Sequence, residues 1–243
     1  MTSTADAAGS TPAPKSLVAR IIGIIISPKE TFQIVVASPK WFGMLACTTL
    51  AAALFTALPL TTEGGQEAAI ARNEESVKSL GINVDLDQMH ERMEQGKARM
   101  PYTTAASIIV ISPIMVTIFA GIVFAIFNAA LGGEASFKQV FSVLTHAGVI
   151  SVLGAVFGGV VNYFRQRMDN ITNLGSLLPM LPEKSFLANF LGAIDVFLIW
   201  WLIVLAMGLA VLYRRRTQPI AVTLLSLYGV IAIAIAAFKS RGA

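Results

Sequence analysis

The sequence predicts an all-α polytopic membrane protein, a bundle of five transmembrane helices with an interfacial helix at its amino terminus. Its composition is the first observation: 55% of the 243 residues are hydrophobic and only 13% are charged, whereas soluble domains carry about 25% charged residues. The second observation is that five apolar segments are each close to the roughly 20 residues that a helix needs to cross a bilayer. These predicted spans cover residues 41–60, 102–131, 140–164, 186–213 and 220–238.

The amino-terminal region before the first span is too short in apolar sequence to cross the bilayer. Residues 1–14 are rich in Ser, Thr, Ala and Pro, so they predict a disordered tail. Residues 15–40 predict an interfacial amphipathic segment, because their apolar run is only about half as long as a bilayer crossing requires. The main helix of this segment begins at Pro28, after the N-cap residue Ser27, and Trp41 then anchors the chain in the headgroup layer.

Charge orients the predicted bundle. The densest basic cluster, Arg214 to Arg216, lies in the short connection between the last two spans, and short basic loops remain in the cytoplasm. The long first loop, residues 61–101, carries eight acids against five bases. We therefore expect this loop outside, the amino terminus inside, and the short carboxyl-terminal tail at residues 239–243 outside. The candidate interface or partner-docking residues are Pro28, Lys29, Glu30, Trp41, Arg214, Arg215 and Arg216.

The first loop exceeds the length of about 12–15 residues that is usual for a bare connection. Residues 66–80 are rich in Ala, Glu and Lys, and apolar residues recur at helical spacing from Val84 to Met93. We therefore expect two short amphipathic helices over the outer surface, separated near Gly81 and Asn83. For the polar residues just after Pro28, a capped helix is an alternative to partner docking.

No motif for enzymatic chemistry is visible in the sequence. His90 resembles the first ligand of a zinc-binding helix, but Glu94 occupies the position of the second histidine, so a solvated helix face explains the pattern better. A P-loop, a GxGxxG motif and a nucleophile elbow are also absent. The single cysteine, Cys47, fits apolar packing, and a net charge of +4 is too small to indicate nucleic-acid binding. We expect no enzyme activity, metal, cofactor or nucleic-acid partner.

Three polar residues within the predicted spans are candidates for function, because polar and ionisable groups are costly in lipid. Asn128 and His146 fall near the cytoplasmic ends of adjacent spans, within reach of a hydrogen bond to each other. Asp195 falls near the outer start of the fourth span, so one proton relay through all three residues is not expected. The hydroxyls expected to donate to Asp195 are those of Thr103, Thr104 and Ser107.

A stripe of small residues lies on one face of the third predicted span. Ala147, Ser151, Gly154 and Gly158 recur at helical spacing, and such stripes let helices approach closely in lipid. Both packing within the bundle and contact between two copies of the chain would use this face. In the second span, Pro113 removes one backbone hydrogen bond and predicts a kink.

Three separated stretches resemble the Yip domain family, the Ypt- and Rab-interacting membrane proteins and their bacterial relatives. Residues 28–39 form a short helix bounded by prolines, and residues 131–146 contain a Gly-Gly turn followed by a helix cap from Ser136 and Gln139. Residues 195–208 carry an Asp and Trp pattern that leads to a glycine. The resemblance implies a five-span helical bundle with a cytoplasmic amino terminus.

The resemblance also bears on partners and location. Eukaryotic members of the family are associated with vesicle trafficking and with prenylated small GTPases. The short tail and the long first loop of this chain depart from that pattern, and the short tail and small size are typical of a bacterial protein. We therefore expect the bacterial cytoplasmic membrane as the location, and we do not expect a small GTPase as the partner.

Two functions fit the sequence. The first is a non-enzymatic scaffold or adaptor that binds a protein partner or organises the membrane, with lipids, another membrane protein or a second copy of the chain as its partners. The alternative is a small transporter or channel component that uses Asp195 and His146. A continuous buried polar path would favour the second function.

Overall fold

Over the residues that it describes, the computed structural model of this chain is all-helical. These residues are 16–79, 81, 83–130, 132–178, 180–182 and 185–241, so the predicted tail at residues 1–14 lies outside them. This part of the chain contains ten α-helices and no β-strand beyond a single bridge. The helices are α1 (Leu17–Ile26), α2 (Pro28–Ala37), α3 (Phe42–Ala57), α4 (Glu63–Ser79), α5 (Leu86–Gly96), α6 (Met100–Phe124), α7 (Phe137–Arg165), α8 (Phe186–Ala193), α9 (Val196–Leu212) and α10 (Thr217–Arg241).

Four helical stretches of the described chain are long and apolar enough to cross a membrane. Three of them overlap predicted spans closely: Phe42–Thr61, Phe137–Arg165 and Thr217–Ser240. The last includes the start of the predicted carboxyl-terminal tail, because α10 continues to Arg241. The remaining stretch, Leu86–Ala129, contains residues 102–129 of the second predicted span but begins inside the first loop.

The predicted fourth span, residues 186–213, is not one continuous helix. The helix is interrupted between α8 and α9, where Ile194 has an extended backbone conformation; we call this interruption the break. Two antiparallel hydrogen bonds to the preceding loop hold the break: the Leu174 N–H donates to Ile194 O (2.9 Å), and the Val196 N–H donates to Thr172 O (3.0 Å). α9 alone has 17 residues, slightly fewer than the roughly 20 of a full bilayer crossing.

α7 is the central helix of the bundle. α3 and α9 pack along it, and α1, α2 and α6 contact it as well. Its fully buried residues Val140, Val143 and Ile150 join a core that includes Leu205 and Leu209 of α9. Because lipid removes the hydrophobic driving force between helices, close van der Waals packing of these side chains stabilises the arrangement.

α7 begins with the capping box that the sequence predicts. The Ser136 side chain accepts the N–H of Gln139, and the Gln139 side chain accepts the N–H of Ser136 at 2.9 Å. The Gln139 amide also donates to Val36 O (3.2 Å), so the cap joins α7 to α2. The preceding turn contains Gly132 at a φ of 66°, a conformation that glycine adopts readily.

α6 and α10 present rows of large apolar side chains to the surroundings. Within α6 only Ala120 and Val123 are buried, the pattern of a helix that faces lipid over most of its circumference. Pro113 lies inside α6, and its carbonyl accepts the hydroxyl of Thr117 at 2.7 Å. Exposed apolar residues of the two helices include Ile109, Val110, Ile114, Met115, Ile118, Val222, Leu227, Val230 and Ile233.

The amino-terminal segment folds as two helices that pack on the bundle. α2 has the predicted bounds, Pro28 to Ala37, although the Ser27 side chain makes no capping hydrogen bond. The apolar residues Phe32 and Val35 are fully buried, and α2 contacts α7 and α9. The apolar face of α2 therefore contacts protein, and an interfacial position for the helix remains a prediction.

The first loop contains the two predicted helices, α4 and α5, which form an antiparallel hairpin; a position over the outer surface remains a prediction. His90 Nδ1 lies 2.6 Å from Glu74 Oε1, and Lys97 Nζ lies 3.3 Å from Glu67 Oε1 across the hairpin. The hairpin buries little of its own surface, because Ile70 and one glycine are the only buried residues of α4 and α5 has none.

The bundle has two chemically different ends. The hairpin end carries α4, α5 and the loop between α7 and α8, where Arg72 donates to Met168 O (3.0 Å) and fastens the hairpin to the bundle. The opposite end carries α1, α2 and the connections that precede α3, α7 and α10. We call it the basic end, after Lys29, Lys40, Lys138, Arg214, Arg215 and Arg216.

Candidate functional site

Asn128 fastens three elements at the basic end. It lies in a π-helical turn, Ala125–Ala130, that follows α6. Its amide donates to Ala135 O (2.7 Å), and its Oδ1 accepts the hydroxyl of Tyr213 (2.8 Å) at the end of α9. The predicted hydrogen bond between Asn128 and His146 is wrong, because both residues are satisfied by other partners.

His146 is fully buried in α7 and pairs with Arg20 of α1. Its Nδ1 lies 2.7 Å from Ser142 O, which is only an acceptor, so Nδ1 carries the ring proton. Its Nε2 is then the acceptor for Arg20, 3.3 Å away, and the same guanidinium nitrogen donates to Lys40 O (3.1 Å). Arg20 is only 9% exposed. Its positive guanidinium therefore lies inside the bundle, where its hydrogen-bond partners, Lys40 O and His146 Nε2, are neutral.

Asp195 is the N-cap of α9 and the centre of a polar cluster at the break. Its Oδ1 accepts the N–H of Leu198 (3.0 Å), and its Oδ2 accepts the hydroxyl of Thr172. Its own N–H donates to the hydroxyl of Tyr228 (2.8 Å), which donates in turn to Ala193 O (2.7 Å). Asp195 therefore connects three elements: its carboxylate bonds to α9 and the preceding loop, and its backbone N–H bonds to α10.

The hydroxyl donors predicted for Asp195 are not its partners. Thr103 instead donates to the carbonyls of Arg99 and Met100 within its own helix (3.1 and 3.2 Å). The prediction failed because it assumed a continuous fourth span, whereas the break between α8 and α9 turns the carboxylate toward Thr172. Thr103, Thr104 and Ser107 belong to α6, which makes no such contact in the described part of the chain.

An open cavity of about 1030 Å³ lies beside α7 in the half of the bundle nearer the hairpin end. α7 forms one wall, and α3, α8, α9, α10 and the loop between α7 and α8 supply the others. Asp195 and Tyr228 line it from the break, while Arg72 of α4 and Lys239 of α10 line it at the hairpin end.

The predicted stripe of small residues divides between the core and this cavity. Ala147 is fully buried in the core, whereas Ser151, Gly154 and Gly158 line the cavity. A Cβ at Gly154 would lie 2.9 Å from the ring of Phe197 in α9, but a Cβ at Gly158 would have no atom within 4 Å. The close contact expected at Gly158 is therefore not present.

The tightest approach of two helices in this region involves the neighbouring glycine. A Cβ at Gly159 would lie 2.0 Å from the carbonyl oxygen of Phe55. Gly159 thus lets α3 and α7 come into contact, which is the role that the sequence predicted for the stripe beside it.

Trp41 and the polar residues of α2 occupy different environments. Trp41 is half-buried, and its ring meets that of Phe141 edge-on at 5.1 Å between centroids, so it packs against α7. Lys29 and Glu30 are exposed, and Pro28 is half-buried at the first position of the helix.

The arginine cluster ends α9. Arg214 adopts a left-handed conformation with a φ of 52°, and the Arg215 N–H donates to Ala210 O (2.9 Å). These features close the helix and turn the chain toward α10. The side chains of Arg214, Arg215 and Arg216 are all exposed.

The family model of the Yip1 domain matches residues 22–238, which cover the candidate membrane-spanning stretches up to residue 238 and the polar clusters around Asn128, His146 and Asp195, apart from Arg20. The chain belongs to the Yip1 domain family. It is also 24% identical over 189 residues to "Membrane protein YknW" of Bacillus subtilis (strain 168), an alignment that covers 78% of this chain and 76% of that protein. No solved structure matches the chain.

Four polar residues of the bundle were not identified from the sequence as parts of a site. Arg20 is one of them, although its position inside an apolar run is a signal for burial. Tyr213, Tyr228 and Asn162 also supply polar groups to the bundle interior. Tyrosine at a span end also fits the headgroup layer, so sequence alone does not identify these contacts.

Proposed function

We propose that this Yip1 domain protein is a non-enzymatic scaffold or adaptor of a bacterial cytoplasmic membrane that docks a protein partner on its α4–α5 hairpin. One observation carries the proposal: the hairpin is fastened to the bundle through Arg72, yet only two residues of its helices are buried and most are exposed. Exposed elements held on a rigid scaffold are where binding sites concentrate.

The charge of the hairpin indicates the chemistry of the partner. Glu75, Asp87 and Glu91 are exposed, and none of them has an ion-pair partner within the described part of the chain. Opposite charges steer protein association and select among partners. A partner with a basic surface fits this face of the hairpin.

The proposal includes five membrane crossings, with the amino terminus inside. α9 supports the fifth crossing, because Asp195 at its start bonds to the loop of the hairpin end while Tyr213 at its end bonds to Asn128 at the basic end. The basic end supports the orientation, because arginine and lysine near span ends stay in the cytoplasm.

The polar residues inside the bundle support a non-enzymatic role. Asn128, His146 and Asp195 lie in three separate clusters, and each bonds to backbone or side-chain groups that fix the positions of helices. Among the described residues no group of three metal-ligating side chains occurs. These contacts stabilise the fold, and none of them places two reactive groups against a common substrate position.

Site-specific photo-crosslinking in intact cells tests the scaffold proposal. A photoreactive phenylalanine analogue at Asp87 should give a discrete protein adduct, and Glu91→Arg in the same chain should reduce that adduct because the basic partner is repelled. The same analogue at Thr223, exposed on the lipid-facing α10, is the matched control. Equal protein adducts from both positions, or none from Asp87, would contradict partner docking on the hairpin.

A small transporter or channel component is the second candidate, and the cavity favours it because Asp195 lines the wall. Neither His146 nor Asn128 lines that cavity, so the polar residues do not form one path in the described part of the chain. Solute or proton flux in liposomes that is lost selectively on Asp195→Asn would favour transport over scaffolding.

A further inference from the structure

We propose that the cavity beside α7 binds one anionic phospholipid whose headgroup carries hydroxyls, such as phosphatidylglycerol. The phosphate lies at Arg72 and Lys239, and an acyl chain lies along the glycines of α7. This site is distinct from the exposed face of the hairpin, so it does not depend on the scaffold proposal.

The walls and size of the cavity suit an acyl chain. Its volume of about 1030 Å³ is at the upper end of the roughly 300–1,000 Å³ of small-molecule sites. Gly154 and Gly158 form a wall without side chains, and Phe55, Ile231 and Ile235 supply apolar surface opposite. Because no atom lies within 4 Å of a Cβ position at Gly158, protein does not fill this slot. In a bilayer the surrounding solvent is hydrocarbon, so an acyl chain is the available occupant.

One polar side chain that lines the cavity has an atom without a hydrogen-bond partner among the described residues. Asn162 lines the cavity and is only 8% exposed. Its amide nitrogen donates to Asp169 O (2.8 Å), but its Oδ1 has no donor among the described residues. A buried acceptor without a donor costs free energy, and a headgroup hydroxyl supplies the missing donor.

The charges at the hairpin end select an anion. Arg72 and Lys239 line the cavity, and neither has a carboxylate partner in the described part of the chain. Of the two acids that also line it, Asp169 lies 3.1 Å from Arg167, and Asp195 accepts the Leu198 N–H and the Thr172 hydroxyl. Arg72 and Lys239 are therefore available to a lipid phosphate without an ion pair to a carboxylate being broken.

Lipid retention by the full chain tests the site. The protein is reconstituted in vesicles of equal parts phosphatidylcholine and phosphatidylglycerol, extracted in mild detergent, and its bound lipids are measured by mass spectrometry. We expect about one phosphatidylglycerol per chain in excess over phosphatidylcholine. Gly158→Leu, which fills the slot, and Arg72→Gln with Lys239→Gln, which removes both cations, should each lower the retained phosphatidylglycerol by about tenfold.

Matched variants separate the site from general effects. Gly121→Leu is the control for Gly158→Leu, because it places the same side chain where α6 has open space. Lys78→Gln with Arg92→Gln is the control for the charge variants, because it removes two hairpin charges outside the cavity. Both controls should retain phosphatidylglycerol like the wild type. If another cavity variant folds poorly, Lys239→Gln alone tests the site, because Lys239 is exposed and its replacement leaves the packing of the bundle unchanged. Equal retention of the two lipids by the wild type, unchanged retention in the cavity variants, or a peptide recovered in place of lipid would overturn the proposal.

Discussion

At the residue scale, polar side chains inside the bundle join elements that are far apart in the sequence. Arg20 and His146 are 126 positions apart, and Tyr213 and Asn128 are 85 positions apart. In lipid an unsatisfied polar group is costly, so such pairs fix which helices are neighbours as well as adding stability. The bundle thus acquires specificity from a few hydrogen bonds that apolar packing alone would not supply.

The pair of Arg20 and His146 gives the residue-scale prediction. His146→Leu removes one acceptor of the buried Arg20 guanidinium, and we expect it to lower the free energy of unfolding by about 1–3 kcal/mol, the cost of leaving a buried donor without its partner. The double variant Arg20→Met with His146→Leu should recover part of that loss, because no charge then remains buried. SDS titration in mixed micelles measures both values. A double variant less stable than His146→Leu alone would contradict this account.

Sequence reasoning recognised the important polar residues but not their partners. Asn128, His146 and Asp195 were identified because polarity within an apolar run is visible in one chain. Their partners come from α1, the loop before α8, and α10, and the spacing of residues along a single helix carries no information about these contacts. The buried Arg20 was missed for the same reason, since its partner lies on another helix.

At the element scale, locally determined features were predictable and tertiary ones were not. The bounds of α2 and the capping box of α7 follow from Pro28, Ser136 and Gln139, whose effects act within one helical turn. The break between α8 and α9 was missed, because the apolar run is continuous and the interruption depends on hydrogen bonds from Thr172 and Leu174.

The contact of α3 with α7 gives the element-scale prediction. Gly159→Ala should lower the melting temperature and expression, because its Cβ would lie 2.0 Å from Phe55 O and overpacking of this kind costs about 1–3 kcal/mol. Gly158→Ala, one residue away with open space, should melt like the wild type. Thermal unfolding in detergent compares the two variants. The reverse order of stability would show that Gly158, not Gly159, makes the close contact.

At the scale of the whole molecule, the two ends of the bundle differ in charge and in structure. The basic end is closed by hydrogen bonds among α1, α7 and the connections, whereas the hairpin end carries exposed acids and an open cavity. Because basic residues near span ends tend to stay in the cytoplasm, we expect the basic end on the cytoplasmic side. The hairpin and the cavity are thereby expected on the outer side, where a partner and a lipid of the outer leaflet are accessible.

Reporter fusions test this arrangement and the number of crossings together. With five crossings and the amino terminus inside, fusions after Thr61, Ser176 and Ala243 should report the outer side, and fusions after Gly133 and Thr217 should report the cytoplasm. The fusion after Thr217 is decisive, because it follows both α9 and the arginine cluster. If α9 crosses the membrane, the arginines remain in the cytoplasm, as short basic connections do. If only the four longer helices cross, Thr217 lies on the same side as Ser176, so an outer-side report after Thr217 would rule out α9 as the fifth crossing.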